Sequence, residues 1–145
     1  MIVKVKTNSV EETQKLAQKL AQKLNGGEVI ELIGDVGAGK TTFVVGLAEG
    51  LESRDHVSSP TFTICNVYKG RFTIQHCDFY RLHDDKLIQK ELEDLIDDKS
   101  VVVLEWSENL DRKIDETVKI YIDYKSEEKR LITLELPRKY EYLAL

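Results

Sequence analysis

Gly34-Asp35-Val36-Gly37-Ala38-Gly39-Lys40-Thr41 constrains this chain more than any other stretch. It has the form G-x-x-x-x-G-K-[ST], the phosphate-binding P-loop pattern. Ahead of it, Glu28-Val29-Ile30-Glu31-Leu32-Ile33 is apolar and short enough for a buried strand. Behind it, residues 42–51 carry apolar side chains at helical spacing. Strand, glycine turn and helix is the context that the pattern requires. A triphosphate crowds the backbone, so the loop uses residues without a side chain to clash, which also tolerate positive φ. Loop N–H groups and the helix N-terminus then face the anion. In this reading residues Gly34 to Thr42 bind nucleotide. Lys40 reaches the β- and γ-phosphates, and the Thr41 hydroxyl is a ligand of Mg²⁺.

The remaining sequence predicts one α/β domain over residues 1–145, with a largely parallel central sheet, flanking helices and antiparallel strands at the edge or in a C-terminal hairpin. Met1 to Lys6 alternates like a short strand and lacks a signal-peptide core. Ser9-Val10-Glu11-Glu12 reads as a capping box, with Ser9 as N-cap and Glu12 reaching back. Leu16, Leu20, Ala21 and Leu24 then form one helical stripe, ended by Asn25-Gly26-Gly27. Val57-Ser58-Ser59-Pro60 reads as a loop, because Pro60 disfavours helix at Ser59. Residues 64–68 and 72–77 predict a hairpin around a Lys69-Gly70-Arg71 turn. Residues 86–96 predict a charged surface helix. Val101 to Leu104 fits a strand buried on both faces. Residues 118–124 and 131–136 predict a terminal hairpin.

Two acids fall at strand ends. Asp78 closes the strand over 72–77, and Glu105 closes the run 101–104. Acids at the carboxyl ends of central strands lie where α/β sheets bind ligands. Such an acid beside a P-loop would hold Mg²⁺, directly or through water. Asp78 also fits a plain cap, and Glu105 plain strand termination.

A net charge of −5 argues against a basic nucleic-acid footprint over the whole surface. No apolar run approaches the ~20 residues of a membrane span, so a cytosolic protein is expected. Cys65 and Cys77 sit in no zinc or redox spacing and read as two reduced thiols in or near the core. His76 adjoins Cys77, but strand neighbours point to opposite faces, so the pair makes a poor metal site.

Four stretches taken together resemble one family. They are residues 34–43, Val-Ser-Ser-Pro-Thr-Phe over 57–62, His-Cys-Asp-Phe-Tyr-Arg-Leu over 76–82, and Glu105-Trp106. In order and spacing they resemble the TsaE/YjeE family, over roughly residues 7–110. The resemblance implies a small Mg²⁺-dependent ATPase of tRNA threonylcarbamoyladenosine (t⁶A) biosynthesis. It implies action with the TsaD–TsaB threonylcarbamoyl transferase on adenosine 37 of ANN-decoding tRNAs, with tRNA contact indirect. It matches Lys40 and Thr41 to the phosphate and Mg²⁺ groups, and Thr61 to a γ-phosphate sensor in a switch-like loop. Asp78 matches the essential acid of the His-x-Asp-x-Tyr-Arg motif. Glu105 matches an acid that ligates Mg²⁺ or orients the attacking water, and Trp106 an aromatic beside the nucleotide. Arg130 matches a basic residue of the terminal hairpin, and Thr7 a residue near the adenine. Two other readings stay open: a nucleotide-dependent protein-binding module and a small P-loop kinase.

Overall fold

A computed structural model describes residues 1–35, 37–58, 65–79, 86–107, 114 and 116–145, without the side chains of residues 86–89 and 91. Among the described residues seven strands join one sheet: β1 (Ile2–Thr7), β2 (Val29–Ile33), β3 (Cys65–Tyr68), β4 (Thr73–Asp78), β5 (Ser100–Glu105), β6 (Val118–Ser126) and β7 (Lys129–Glu135). Their spatial order is β1-β7-β6-β2-β5-β4-β3. The four central strands, β6, β2, β5 and β4, run parallel. The pairs β1–β7, β6–β7 and β3–β4 are antiparallel. The expected parallel centre with antiparallel edges is therefore what forms. The helices are α1 (Val10–Gln22), α2 (Lys40–Gly50) and α3 (Lys86–Leu95), with a final 3-10 turn over Arg138–Leu143.

Every residue of β5 is buried, because this strand is covered on both faces. Alternation along it feeds two cores. Val101 and Val103 join Ile30, Leu32, Ile120, Ile122 and Ile132 in the layer that includes α1 and α2. Val102 and Leu104 join Val29, Phe79 and Leu92 in the layer that includes α3. Each fully buried Val, Leu or Phe there stabilises the fold by about 1.5–3 kcal/mol before ordering costs.

The first helix starts as its sequence requires. Glu12 N–H donates to the Ser9 hydroxyl at 3.1 Å, and the Glu12 carboxylate accepts from the Asn8 N–H, one residue ahead of the cap. Glycines on α2 let the two helices approach closely. A Cβ on Gly46 would lie 2.5 Å from Gln14 O, and one on Gly50 would lie 2.8 Å from Gln18 O. Among the described residues no helix is long and apolar enough to cross a membrane.

One expectation is overturned at the β3–β4 hairpin. Cys65 and Cys77 are not two free thiols but a disulfide. They are directly paired on adjacent antiparallel strands, with Cα atoms 4.0 Å apart. A turn confined to residues 69–71 would centre the hairpin on Gly70 and pair Cys65 with Gln75. The actual register pairs Tyr68 with Ile74, which moves the centre to Arg71 and brings the two sulfurs together.

Candidate functional site

Three features meet at the carboxyl edge of the parallel strands. β2 ends at Ile33 and the chain turns through the glycine loop into α2. β5 ends at Glu105, and β4 ends at Asp78, its partner in the ladder. This edge is where open α/β sheets place ligands.

Within the loop Gly39 caps α2 with φ 107° and ψ 22°. A side chain there would be strained whatever the space, so the turn into the helix depends on glycine. Gly37 is likewise left-handed at φ 81°. Asp35 is exposed and Ala38 buried, while Gly34, Gly39, Thr41 and Thr42 are half-buried. Lys40, the first residue of α2, is only 7% exposed. Its Nζ lies 3.8 Å from Glu105 Oε1 and 4.2 Å from the centroid of the Trp106 ring. Lysine, acid and indole thus form one cluster from three predicted residues.

Glu105 is 4% exposed and its carboxylate is divided between a lysine and a histidine ring. Oε1 faces Lys40, and Oε2 lies 2.5 Å from His76 Nε2. The residue after it is strained: Trp106 has φ 59°, the left-handed region where a bulky side chain costs about 1–3 kcal/mol. The next residue repays part of that. Ser107 Oγ donates to Glu31 Oε1 at 2.6 Å, and the Thr117 hydroxyl donates to the other Glu31 oxygen. A carboxylate in mid-β2 therefore holds the chain just beyond Trp106 and just ahead of β6.

Arg130 approaches from the terminal hairpin. Its Nε donates to Ala38 O at 2.6 Å, and one terminal nitrogen donates to the carbonyls of Ser126, Glu127 and Lys129. The guanidinium also lies 4.7 Å over the Tyr124 ring. Arg130 thus reaches the glycine loop through a carbonyl of its backbone. Thr7 pairs with Arg130 across β1 and β7, is buried, and shares a 2.7 Å hydrogen bond with the Thr13 hydroxyl. Val36 and Thr61 lie outside the described residues, as does most of the 57–62 stretch.

Three residues of the site were not singled out from sequence as functional: His76, Tyr68 and Glu31. For His76 the signal existed. Positions 74, 76 and 78 alternate on β4, so the histidine shares a face with Asp78, away from Cys77. The His-x-Asp-x-Tyr-Arg motif set His76 two residues before Asp78, yet a role was assigned to the acid and none to the histidine. Tyr68 and Glu31 gave no comparable signal, because their partners come from distant segments.

Among the described residues no cluster of three or more His, Cys, Asp or Glu is placed to hold a metal by itself. The oxygen donors at this edge are the Thr41 hydroxyl and the Asp78 and Glu105 carboxylates. That set fits Mg²⁺, which takes one or two carboxylates and completes its octahedron with water and phosphate.

A glycine loop entering a helix, at the carboxyl edge of a parallel sheet and beside a lysine–glutamate pair, gives the class: a small mixed α/β protein with a mostly parallel central sheet. The family model described as threonylcarbamoyl adenosine biosynthesis protein TsaE matches residues 7–132. A tRNA threonylcarbamoyladenosine biosynthesis protein TsaE from Bacillus subtilis is 35% identical over 144 residues, covering 97% of this chain and 90% of that protein. The protein of the same name from Nostoc is 38% identical over 127 residues, covering 83% and 77%. The crystal structure of Bacillus subtilis YdiB superposes with a TM-score of 0.78 at 32% identity, over 99% of this chain and 91% of that one. The chain belongs to the TsaE family.

Proposed function

We propose that this chain acts in t⁶A biosynthesis as a slow, Mg²⁺-dependent ATPase, an accessory of the TsaD–TsaB threonylcarbamoyl transferase. That assembly modifies adenosine 37 of ANN-decoding tRNAs, and the ATPase supports its turnover in the cytosol without itself transferring the carbamoyl group. Family membership supports the pathway. One observation carries the ATPase reading: the buried Lys40–Glu105 pair beside the glycine loop. A lysine there matches a polyphosphate, and a carboxylate beside it matches a metal-bound or water-derived nucleophile. Bound Mg²⁺ would neutralise charge developing on the β- and γ-oxygens.

In this reading Lys40 binds the β- and γ-phosphates and Thr41 ligates the metal. Asp78 supports the metal from the end of β4, and Glu105 orients the attacking water. Thr61 senses the γ-phosphate, Trp106 packs beside the nucleotide, and Thr7 lies near the adenine. Arg130 acts on the nucleotide through the Ala38 carbonyl that it holds. The test is ATP turnover by the purified chain, alone and with the TsaD–TsaB pair. Slow turnover that rises with the pair is expected. Nucleotide-dependent association with the pair and no turnover would replace the ATPase with a binding module.

A further inference from the structure

His76 is fully buried at 0% exposure, and nothing in the proposed chemistry uses it. Its surroundings are polar and continuous. Nε2 lies 2.5 Å from Glu105 Oε2. Nδ1 lies 3.0 Å from the Tyr68 hydroxyl. That hydroxyl donates to Ser58 O at 2.8 Å and accepts from Ser58 N–H at 3.3 Å. Asn66 Nδ2 also donates to Ser58 O, at 3.2 Å. A hydrogen-bonded line thus runs from Ser58, through Tyr68 on β3 and His76 on β4, to Glu105 on β5.

We propose that Tyr68 and His76 are positioning residues that fix the Glu105 carboxylate and tie its placement to the backbone at Ser58. Ser58 leads directly into the Ser59 to Phe62 stretch. The line is a building device of the sheet. His76 and Val103 are paired in the parallel ladder, and Glu105 lies two residues further along β5 on the same face. Tyr68 is opposite Ile74, two residues before His76 on that face. Each side chain therefore reaches diagonally to the next strand. Of Glu105's two oxygens, only Oε2 touches this line, and Oε1 is left to Lys40. A carboxylate held at one oxygen by a buried ring cannot rotate without breaking that bond. Lys40 and the reacting groups therefore meet it in one orientation.

The proposal rests on the ATPase reading for its catalytic readout but not for its structural one. Tyr68→Phe removes one oxygen and keeps the ring in the core, so the variant is expected to fold. With TsaD–TsaB present, kcat should fall about tenfold while KM for ATP stays within about twofold, the scale of loss when an outer partner of a site ligand is removed. His76→Leu should lose more. His76→Gln, whose amide keeps a polar group facing Glu105, should recover part of the loss. The second readout uses no nucleotide. Trp106 is the chain's single tryptophan and sits between Glu105 and Ser107. Its emission and its accessibility to acrylamide should change in Tyr68→Phe, and the His76 Cε1–H proton resonance should shift. Wild-type kcat in Tyr68→Phe, with unchanged Trp106 emission and His76 resonance, overturns the proposal. So does an equal loss in His76→Gln and His76→Leu with unchanged Trp106 emission. If the wild-type chain turns over no ATP, the ATPase reading fails alone, and the nucleotide-free spectra still decide whether Tyr68 and His76 set the site.

Discussion

The sheet has a buried glutamate at each end, and the two are partnered differently. Glu28, just ahead of β2, is 1% exposed. Its carboxylate accepts from the backbone N–H groups of Asn25 and Gly26, at 2.7 and 2.8 Å, and from the Tyr142 hydroxyl at 2.5 Å. Those donors are fixed by the α1–β2 turn and the final 3-10 turn. Glu105, at the opposite end of the neighbouring strand, faces a histidine ring and a lysine. Neutral donors held by turns make a buried carboxylate a structural pin. An ammonium on a glycine loop and a ring reached from another strand make it part of a site. Burial alone does not separate the two; the nature of the partners does.

The largest effect should come from Lys40→Ala. It removes the charge that meets the phosphates, so ATP binding should fall below detection by calorimetry while the circular dichroism spectrum stays that of the folded chain. Wild-type affinity in that variant would remove the loop from the nucleotide site.

Glu105→Gln comes next. ATP affinity should stay within about tenfold, about 1.4 kcal/mol. Partner-stimulated hydrolysis should drop on the order of a hundredfold, because the charge matters most in the transition state. Unchanged turnover would make Glu105 a pin like Glu28, and the comparison would collapse.

Glu28→Ala should show the opposite pattern. It strands two backbone donors, so unfolding free energy should fall by about 2–3 kcal/mol and the melting temperature by roughly 4–12 °C, with kcat per folded molecule unchanged. A kcat defect at wild-type stability would give both glutamates to the site.

The smallest effect should be that of Tyr142→Phe, about 1 kcal/mol at neutral pH. Burial, then the hydrogen bond and charge of Glu28, push the Tyr142 phenol well above its usual 10.0. The folded chain therefore keeps this proton more tightly than the unfolded one. Its contribution is complete below pH 10 and shrinks as pH rises beyond that. Denaturant titrations at pH 8 and above pH 10 should show the gap between wild type and variant closing. A constant gap would mean that Glu28 does not hold the phenol.

Legibility from sequence follows the division between local and distant causes. The β2–loop–α2 unit, the α1 cap and the buried β5 run were readable because each depends on residues close in sequence. Glu105 and Asp78 were readable because strand ends are marked by where an apolar run stops. The pairing of His76 with Glu105 was not, since it requires knowing that β4 and β5 are neighbours in register. The disulfide escaped for a smaller reason. One residue of error in the centre of the β3–β4 turn changes which side chains oppose each other. Glu31 escaped because its partners, Ser107 and Thr117, lie in segments with no periodic pattern of their own.

The contact between α1 and α2 also limits how this chain can drift over generations. At positions 46 and 50 the obstacle to a methyl group includes the main-chain oxygens of Gln14 and Gln18, not only the side chains of Ala17 and Ala21. A lineage cannot open these positions by trimming a facing alanine, because no substitution removes a carbonyl. Only a displacement of the whole first helix would make room, and that would disturb the layer packed beneath it. Neither one-step change nor paired compensation is then open to these two glycines, whereas the exposed face of the same helix can vary freely.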